Sequence, residues 1–344
     1  MLRPMPEKDP KQPYIGGQAV IEGVMMRSPR GLSVAVRRPD GTLAVREEAY
    51  QSRFQSKVWK APFLRGIGVL VESLSMGFRA LNFSADQQMT DEEREKAGSG
   101  GGKLAMLLST VFALGLFIAL PQLLASGSGR LFGIDFGLSD ANYHIVIGGF
   151  KLLIVFGYLV AISRIPEIRR VFQYHGAEHM TINAYERGLA LTVDNVRAQT
   201  TMHPRCGTTF LVVVVIVSII VGSIAAPLLL PGAEGVVGWL AILALRLGLL
   251  PVIAGLSYEL QRLSARYATT GPLRVFLLPG FLFQKISTRR PDDDQIEVAI
   301  AAMEAAAWRD RVGEEAPAEE ELLVFPHFDG FIEALPSLRP LRNA

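Results

Sequence analysis

Two short segments of this chain carry the residue types that hold metal ions and activate water. In Gln173-Tyr174-His175-Gly176-Ala177-Glu178-His179 two imidazoles stand four positions apart. On a helix, residues at that spacing stack on one face, so both can reach a single ion. His-x-x-Glu-His is the order found in the inverted zinc proteases, where the carboxylate serves as general base and not as ligand. A divalent ion held there supplies Lewis acidity and activates water near neutral pH, with the carboxylate to take the proton. Further on, His203-Pro204-Arg205-Cys206-Gly207 offers a compact His-x-x-Cys pair. Imidazole with thiolate favours zinc over magnesium or calcium. If His175, His179, His203 and Cys206 all bind, the shell is closed and the metal is structural. If only three bind, one position stays open and Glu178 has a role. The plainer readings are a solvated histidine pair and a small buried Cys206.

Other ionisable and polar residues are candidates for supporting roles or substrate contact. Glu186 projects near the His175 face but lies about 10 Å along the helix axis from His179, at 1.5 Å per residue. Asn183, Tyr185 and Arg205 fall in the same class, as does Glu22 in its short apolar stretch after Gly16-Gly17. Glu259 follows the last apolar segment closely enough to approach the metal site. Arg246 lies in the middle of that segment. A charge at mid-bilayer costs about 2.5–3.5 kcal/mol on insertion scales, so Arg246 needs a partner inside the bundle (a helix end or Glu259) or an anionic ligand.

The elements that must position these residues are dominated by apolar blocks. Of 344 residues, 49% are hydrophobic and 20% charged. The apolar ones gather in Leu104–Ala125, Ile145–Ile162, Phe210–Leu230 and Val236–Leu256, near the roughly 20 residues that cross a bilayer core. Lipid satisfies no backbone group, so each must be a helix. Arginine and lysine crowd the segment before the first block, the loop 163–209 and the stretch after the fourth, whereas 126–144 holds only Arg130 and 231–235 none. Basic flanks face the cytoplasm. The fold class expected is therefore a mainly α membrane protein with four transmembrane helices, with both termini and the histidine-bearing loop cytoplasmic.

Phe63–Phe83 is long enough to span, yet Phe63, Ile67, Leu70, Leu74, Phe78 and Leu81 form one stripe while Arg65, Glu72 and Arg79 recur on another face. That predicts an amphipathic helix in the interface or against the bundle. Alternating runs on either side of Pro39-Asp40-Gly41 predict a β-hairpin in a small N-terminal region. Asp91–Lys103 reads as a glycine-rich linker. Asp292 and Gln295 predict a reciprocal cap for a helix running to about Arg311. The expected division is thus 1–60 (hairpin region), 61–90 (amphipathic helix), 104–257 (four-helix domain), 258–312 (cytoplasmic region) and 313–344 (tail). One cysteine excludes a disulfide-stapled scaffold. Met1–Pro13 has no apolar core for a cleavable signal. Gly98–Gly102 lacks the Lys-Ser/Thr and the preceding strand of a phosphate loop. A net charge of +2 gives no reason to expect nucleic acid.

Four separated motifs, Gly16–Arg27, Tyr174–Glu186, His203–Thr208 and Thr288–Ile300, resemble in order those of the bacterial YqhQ family, over roughly Tyr14 to Glu304. The resemblance implies a bacterial inner-membrane protein labelled as a predicted metal-dependent enzyme, with His175, Glu178, His179, His203 and Cys206 as family motif positions. The sequence departs from the pattern at Arg290, where a glutamate is expected before the Pro-Asp-Asp run. The function expected is that of a zinc-dependent hydrolase acting on a lipid or peptide at the cytoplasmic membrane face. The rival is a non-catalytic scaffold or transport-related membrane protein with a structural zinc. Glu178 separates them, because a structural site has no need of a carboxylate between two ligands. The sequence names neither substrate nor oligomeric state.

Overall fold

The structure is a computed structural model that describes residues 13–90, 107–133, 137–267, 278–312 and 321–337. The expected linker Asp91–Lys103 lies outside the described residues, as do the start of the first apolar block and parts of the tail.

Period-two alternation builds the polar half. Strands β1 (Gly16–Val20), β2 (Gly23–Arg27), β3 (Gly31–Arg37) and β4 (Leu43–Ala49) form an antiparallel meander, with β3 and β4 paired as the expected hairpin. Alternate residues point to opposite faces, and here both faces are covered. Val20, Met25, Leu32, Val34 and Val36 pack on helix α1 (Leu64–Gln88) through Met76, Ala80 and Phe83. Val24, Met26, Ala35, Leu43 and Val45 pack on the other side with Tyr174, Ala177 and the alanine-rich run Val298–Ala307.

The tail is not free-standing. Glu321–Phe325 adds a fifth strand, β5, antiparallel to β4, and the short terminal helix Phe328–Ser337 places Phe331 in the same core. A strand from the expected tail 313–344 thus joins the sheet of the expected region 1–60.

α1 corrects a detail of the amphipathic reading. Its buried side mixes Met76, Ala80 and Phe83 with glycines and the polar Glu72, Ser84 and Gln87. Glu72, expected on a solvated face, is buried and accepts from Tyr50 Oη (2.7 Å), Ser52 Oγ (2.8 Å) and Arg53 N (2.5 Å). The apolar stripe faces outward instead, with Leu74 73% exposed beside Val71, Phe78 and Leu81.

The apolar blocks are helices. Three are long and apolar enough to cross a membrane: α2 (Leu107–Gly129), α3 (Ala141–Ile162) and α6 (Gly207–Leu229). The fourth block is two helices, α7 (Gly235–Gly248) and α8 (Leu250–Tyr267), bent by 47° at Leu249, so among the described residues there is a fourth candidate span only if the pair counts as one broken span. Pro251 has no N–H for the carbonyl of Leu247, which explains a break there. Many large side chains on these helices are exposed, including Phe112, Leu153, Ile220, Ile224 and Val237.

Between the two halves run α4 (Pro166–Glu186), the short α5 (Val193–Arg197), α9 (Leu278–Ser287) and α10 (Asp293–Val312). Proline opens α4 at its first position, where no N–H is missed, and Gly188 at φ 65° closes it in the left-handed region. The cap of α10 forms as expected on one side, with Asp292 N donating to Gln295 Oε1 at 3.0 Å.

Candidate metal centre

The centre assembles where α4 passes between β1, the start of α6 and the end of α9. Helical spacing brings His175 and His179 onto one face, their ring centroids 4.4 Å apart. Each ring is held from behind by a backbone carbonyl. A carbonyl can only accept, so His175 Nδ1 donates to Ser287 O (2.7 Å) and His179 Nδ1 donates to Thr201 O (2.6 Å). Both Nε2 atoms are then left with a lone pair turned toward the centre. This is the arrangement by which metal-ligating histidines are fixed in tautomer and orientation. The Ser287 carbonyl ends α9 and is one of the acceptors that a helix C-terminus leaves without an intrahelical partner.

Cys206 supplies the third group. It is the N-cap of α6, its Sγ accepting from Thr208 N, and it lies 3.2 Å from His175 Nε2. Ligand atoms of His175, His179 and Cys206 all fall within 4.8 Å of one another. A tetrahedron with bonds of 2.0–2.3 Å has edges of about 3.5 Å. The trio therefore fits one small cation after a slight contraction.

Glu178 stands inside this group, 4% exposed. Its Oε2 is 3.5 Å from His179 Nε2 and 4.0 Å from His175 Nε2, so the carboxylate leans more toward His179 than its position on the helix suggests. Burial pushes its carboxyl up to about 7, against the opposing pull of His175 and the Gly17 backbone N–H. Gly17 explains itself here: a Cβ would lie 2.7 Å from Glu178 Cγ, so only glycine lets β1 bring its N–H to the carboxylate. A cavity of about 100 Å³ opens beside the group, lined by Tyr14, Gly16, Gly17, His203 and Arg205 among others.

His203 is nearby but does not join the trio. Its ring is 5.6 Å from that of His179, centroid to centroid. Its Nε2 faces Glu186 Oε2 at 3.5 Å and Arg205 Nη2 at 3.4 Å. Burial drives its pKa down to about 4, with Glu186 opposing. Arg205 is ion-paired to Glu186 and lies over the Tyr14 ring. His203 and Arg205 thus form a polar wall of the cavity, each in contact with Glu186.

The remaining candidates are sorted by the chain's long-range path. Asn183 donates to Thr200 O (2.8 Å) and Met202 O (3.2 Å), bracing the loop whose Thr201 carbonyl holds His179. Tyr185 Oη donates to Pro13 O at 3.4 Å, and its ring packs against the core beside the sheet. Glu22 is on the outer side of Tyr174, paired with Arg170. Glu259 does not approach the centre. It pairs with Arg65 and accepts from Phe63 N, tying α8 to α1. Arg246 belongs to another cluster, bonded to His144.

Sequence reasoning missed Gln284, which bonds both backbone groups of His203: it accepts from His203 N (3.0 Å) and donates to His203 O (2.7 Å). A lone glutamine in an apolar helix carries no signal of that task. Gly176 did carry one, inside the histidine motif. A Cβ there would collide with the Arg289 carbonyl oxygen, which is backbone and cannot swing aside. Gly176→Ala is therefore expected to destabilise the protein by about 1–3 kcal/mol, as overpacking does. The readout is a lowered thermal midpoint, and an unchanged one would refute the close approach.

The family model described as a protein of unknown function, DUF1385, matches residues 61–308. The chain is similar to the uncharacterized protein YqhQ of Bacillus subtilis (strain 168), 36% identical over 302 residues that cover 84% of this chain and 90% of that one. No solved structure matches the chain.

Proposed function

Because the chain belongs to the DUF1385 family together with the bacterial YqhQ protein, its reaction has to be inferred from its own residues, and we propose that it is a metal-dependent hydrolase of the bacterial inner membrane. His175, His179 and Cys206 hold the ion, and zinc suits two imidazoles and a thiolate. The observation that carries the reading is the position of Glu178, buried between the two Nε2 atoms. A carboxylate placed there has a purpose if water must be oriented and deprotonated, and none if the metal only braces a loop.

When bound, the ion supplies Lewis acidity at the substrate's electrophilic centre. The chain's own residues do the rest. Glu178 takes a proton on Oε2, and its raised carboxyl lets it return that proton to a leaving group at neutral pH. Gly17 N–H keeps the other side of the carboxylate in register. His203, fixed by Gln284, and Arg205 face the same cavity and can bind a polar or anionic part of the substrate. That His203 pairs with Glu186 and Arg205 leaves three soft ligands, which favours an open coordination position over a closed structural shell. The substrate proposed is a lipid or peptide, because the cavity lies where the polar half meets the apolar helices.

Both termini and the loop 163–209 are assigned to the cytoplasm, with α2, α3, α6 and the bent α7–α8 pair crossing the bilayer and the exposed stripe of α1 in the interface. Reporters fused at Ser128 and Gly232 are expected to read out as periplasmic, and those at Gln199 and Ala344 as cytoplasmic. A cytoplasmic Ser128 would overturn that orientation. The hydrolase itself is tested by complementing a deletion strain with Glu178→Gln beside His175→Ala, since the proposal requires both to fail.

A further inference from the structure

A second polar cluster lies among the apolar helices, and the metal centre makes no use of it. The segments 107–129, 141–162, 207–229 and 235–258 contain no aspartate or glutamate. They do contain Lys151 on α3 and Arg246 on α7. Arg246 is buried, 7% exposed, and its Nη2 is bonded to Nδ1 of His144, itself 2% exposed. Arg246 Nε and His144 Nε2 are both buried with no hydrogen-bond partner among the described residues. Lys151 Nζ donates to Ser218 Oγ of α6 at 3.3 Å and lies within electrostatic range of Arg246 and His144. Gly222 of α6 leaves room for the histidine ring, since a Cβ there would lie 3.1 Å from Nδ1.

The charge does not balance. An arginine stays protonated in proteins and offers five N–H donors, and a neutral imidazole answers one of them without supplying charge. Buried charges are otherwise paired, and two cations within range repel one another as well. The C-terminal end of α7 presents only a partial negative charge to Arg246. Placement points the same way, because Arg246 sits on the last turn before the 47° break at Leu249. Discontinuous membrane helices are where transporters build their binding sites.

We propose that Arg246, Lys151 and His144 form a binding site for a phosphate group within the helical bundle, supplied by a phospholipid headgroup or as a free anion. A phosphate offers several acceptor oxygens, which suit the planar fork of Arg246 together with the point charge of Lys151. The inference rests on the apolar helices being membrane spans and is independent of the metal chemistry.

The test uses the full chain, purified as wild type, as Arg246→Gln/Lys151→Met and as Arg246→Lys. In one arm, native mass spectrometry counts phosphatidylglycerol retained from an equal mixture with phosphatidylcholine. In the other, radiolabelled inorganic phosphate is titrated onto protein in phosphatidylcholine nanodiscs. Wild type is expected to bind the phosphate group in at least one arm, and the double variant roughly tenfold more weakly, with Arg246→Lys between them. Retained phosphatidylglycerol identifies the headgroup, whereas phosphate binding alone identifies a free anion. Equal binding by wild type and double variant, or no binding above phosphatidylcholine in either arm, overturns the site. Unchanged circular dichroism and monodispersity of the double variant show that it has folded, and the reporter fusions test the membrane placement separately.

Discussion

Purified wild-type protein is expected to carry about one zinc per chain, and His175→Ala and Cys206→Ala each to lose it. The expectation follows from the convergence of three soft ligand atoms within 4.8 Å. Removing one of three leaves two, too few to hold an ion against dilution or a mild chelator. The geometry adds a sharper contrast. His203→Ala should keep its metal, because the His203 ring faces Glu186 and Arg205 instead of the trio. Elemental analysis of the four proteins, each checked for native circular dichroism and monodispersity, reads the result. Metal lost equally from His203→Ala would restore a four-ligand, closed site. Metal kept by a folded His175→Ala would remove the centre altogether.

Glu178→Gln should separate binding from chemistry. The amide keeps the size of the carboxylate and can still accept from the Gly17 N–H, but it cannot take a proton. General-base contributions are typically 10²–10⁴-fold, so hydrolysis should fall by about that factor while metal content stays at the wild-type value. In cells the variant should fail to complement, like His175→Ala, although only the latter loses its ion. If Glu178→Gln complements fully where His175→Ala does not, the metal braces the loop and the hydrolase proposal gives way to a structural one. The variant is not expected to unfold, since at 4% exposure a neutral amide is cheaper to bury than an ionised carboxylate.

Much of this was legible along the chain because it depends on near neighbours. Hydrophobic runs of the right length are helices, and the alternation around Pro39-Asp40-Gly41 is a hairpin. Pro166 and Gly188 bound α4, and residues four apart on a helix, His175 and His179, share a face. Each follows from backbone periodicity or from one residue's φ, which the local sequence sets. The motif order was likewise enough to place the chain among its relatives.

Partnerships between distant segments were decided only by the tertiary structure. Spacing along the chain could not tell which of His203 and Cys206 completes the trio. The N-cap geometry of α6 turns the sulfur toward His175, while Gln284, some eighty residues on, grips the His203 backbone and turns its ring to Glu186. By chain position Glu259 could approach the His175–His179–Cys206 trio, but α1 packs against α8 and offers it Arg65. Glu72 falls on a separate face from the apolar stripe by periodicity, yet it is that face that is buried, with Glu72 held by Tyr50, Ser52 and Arg53, while Leu74 and Phe78 of the stripe stay exposed. Glu321–Phe325, acidic at its start and isolated in sequence, becomes a strand because β4 has an open edge for it. Local pattern fixes which face of an element is polar. What that face meets depends on how segments far apart in sequence cross, and there the decisive groups are backbone carbonyls and N–H donors that every residue carries alike.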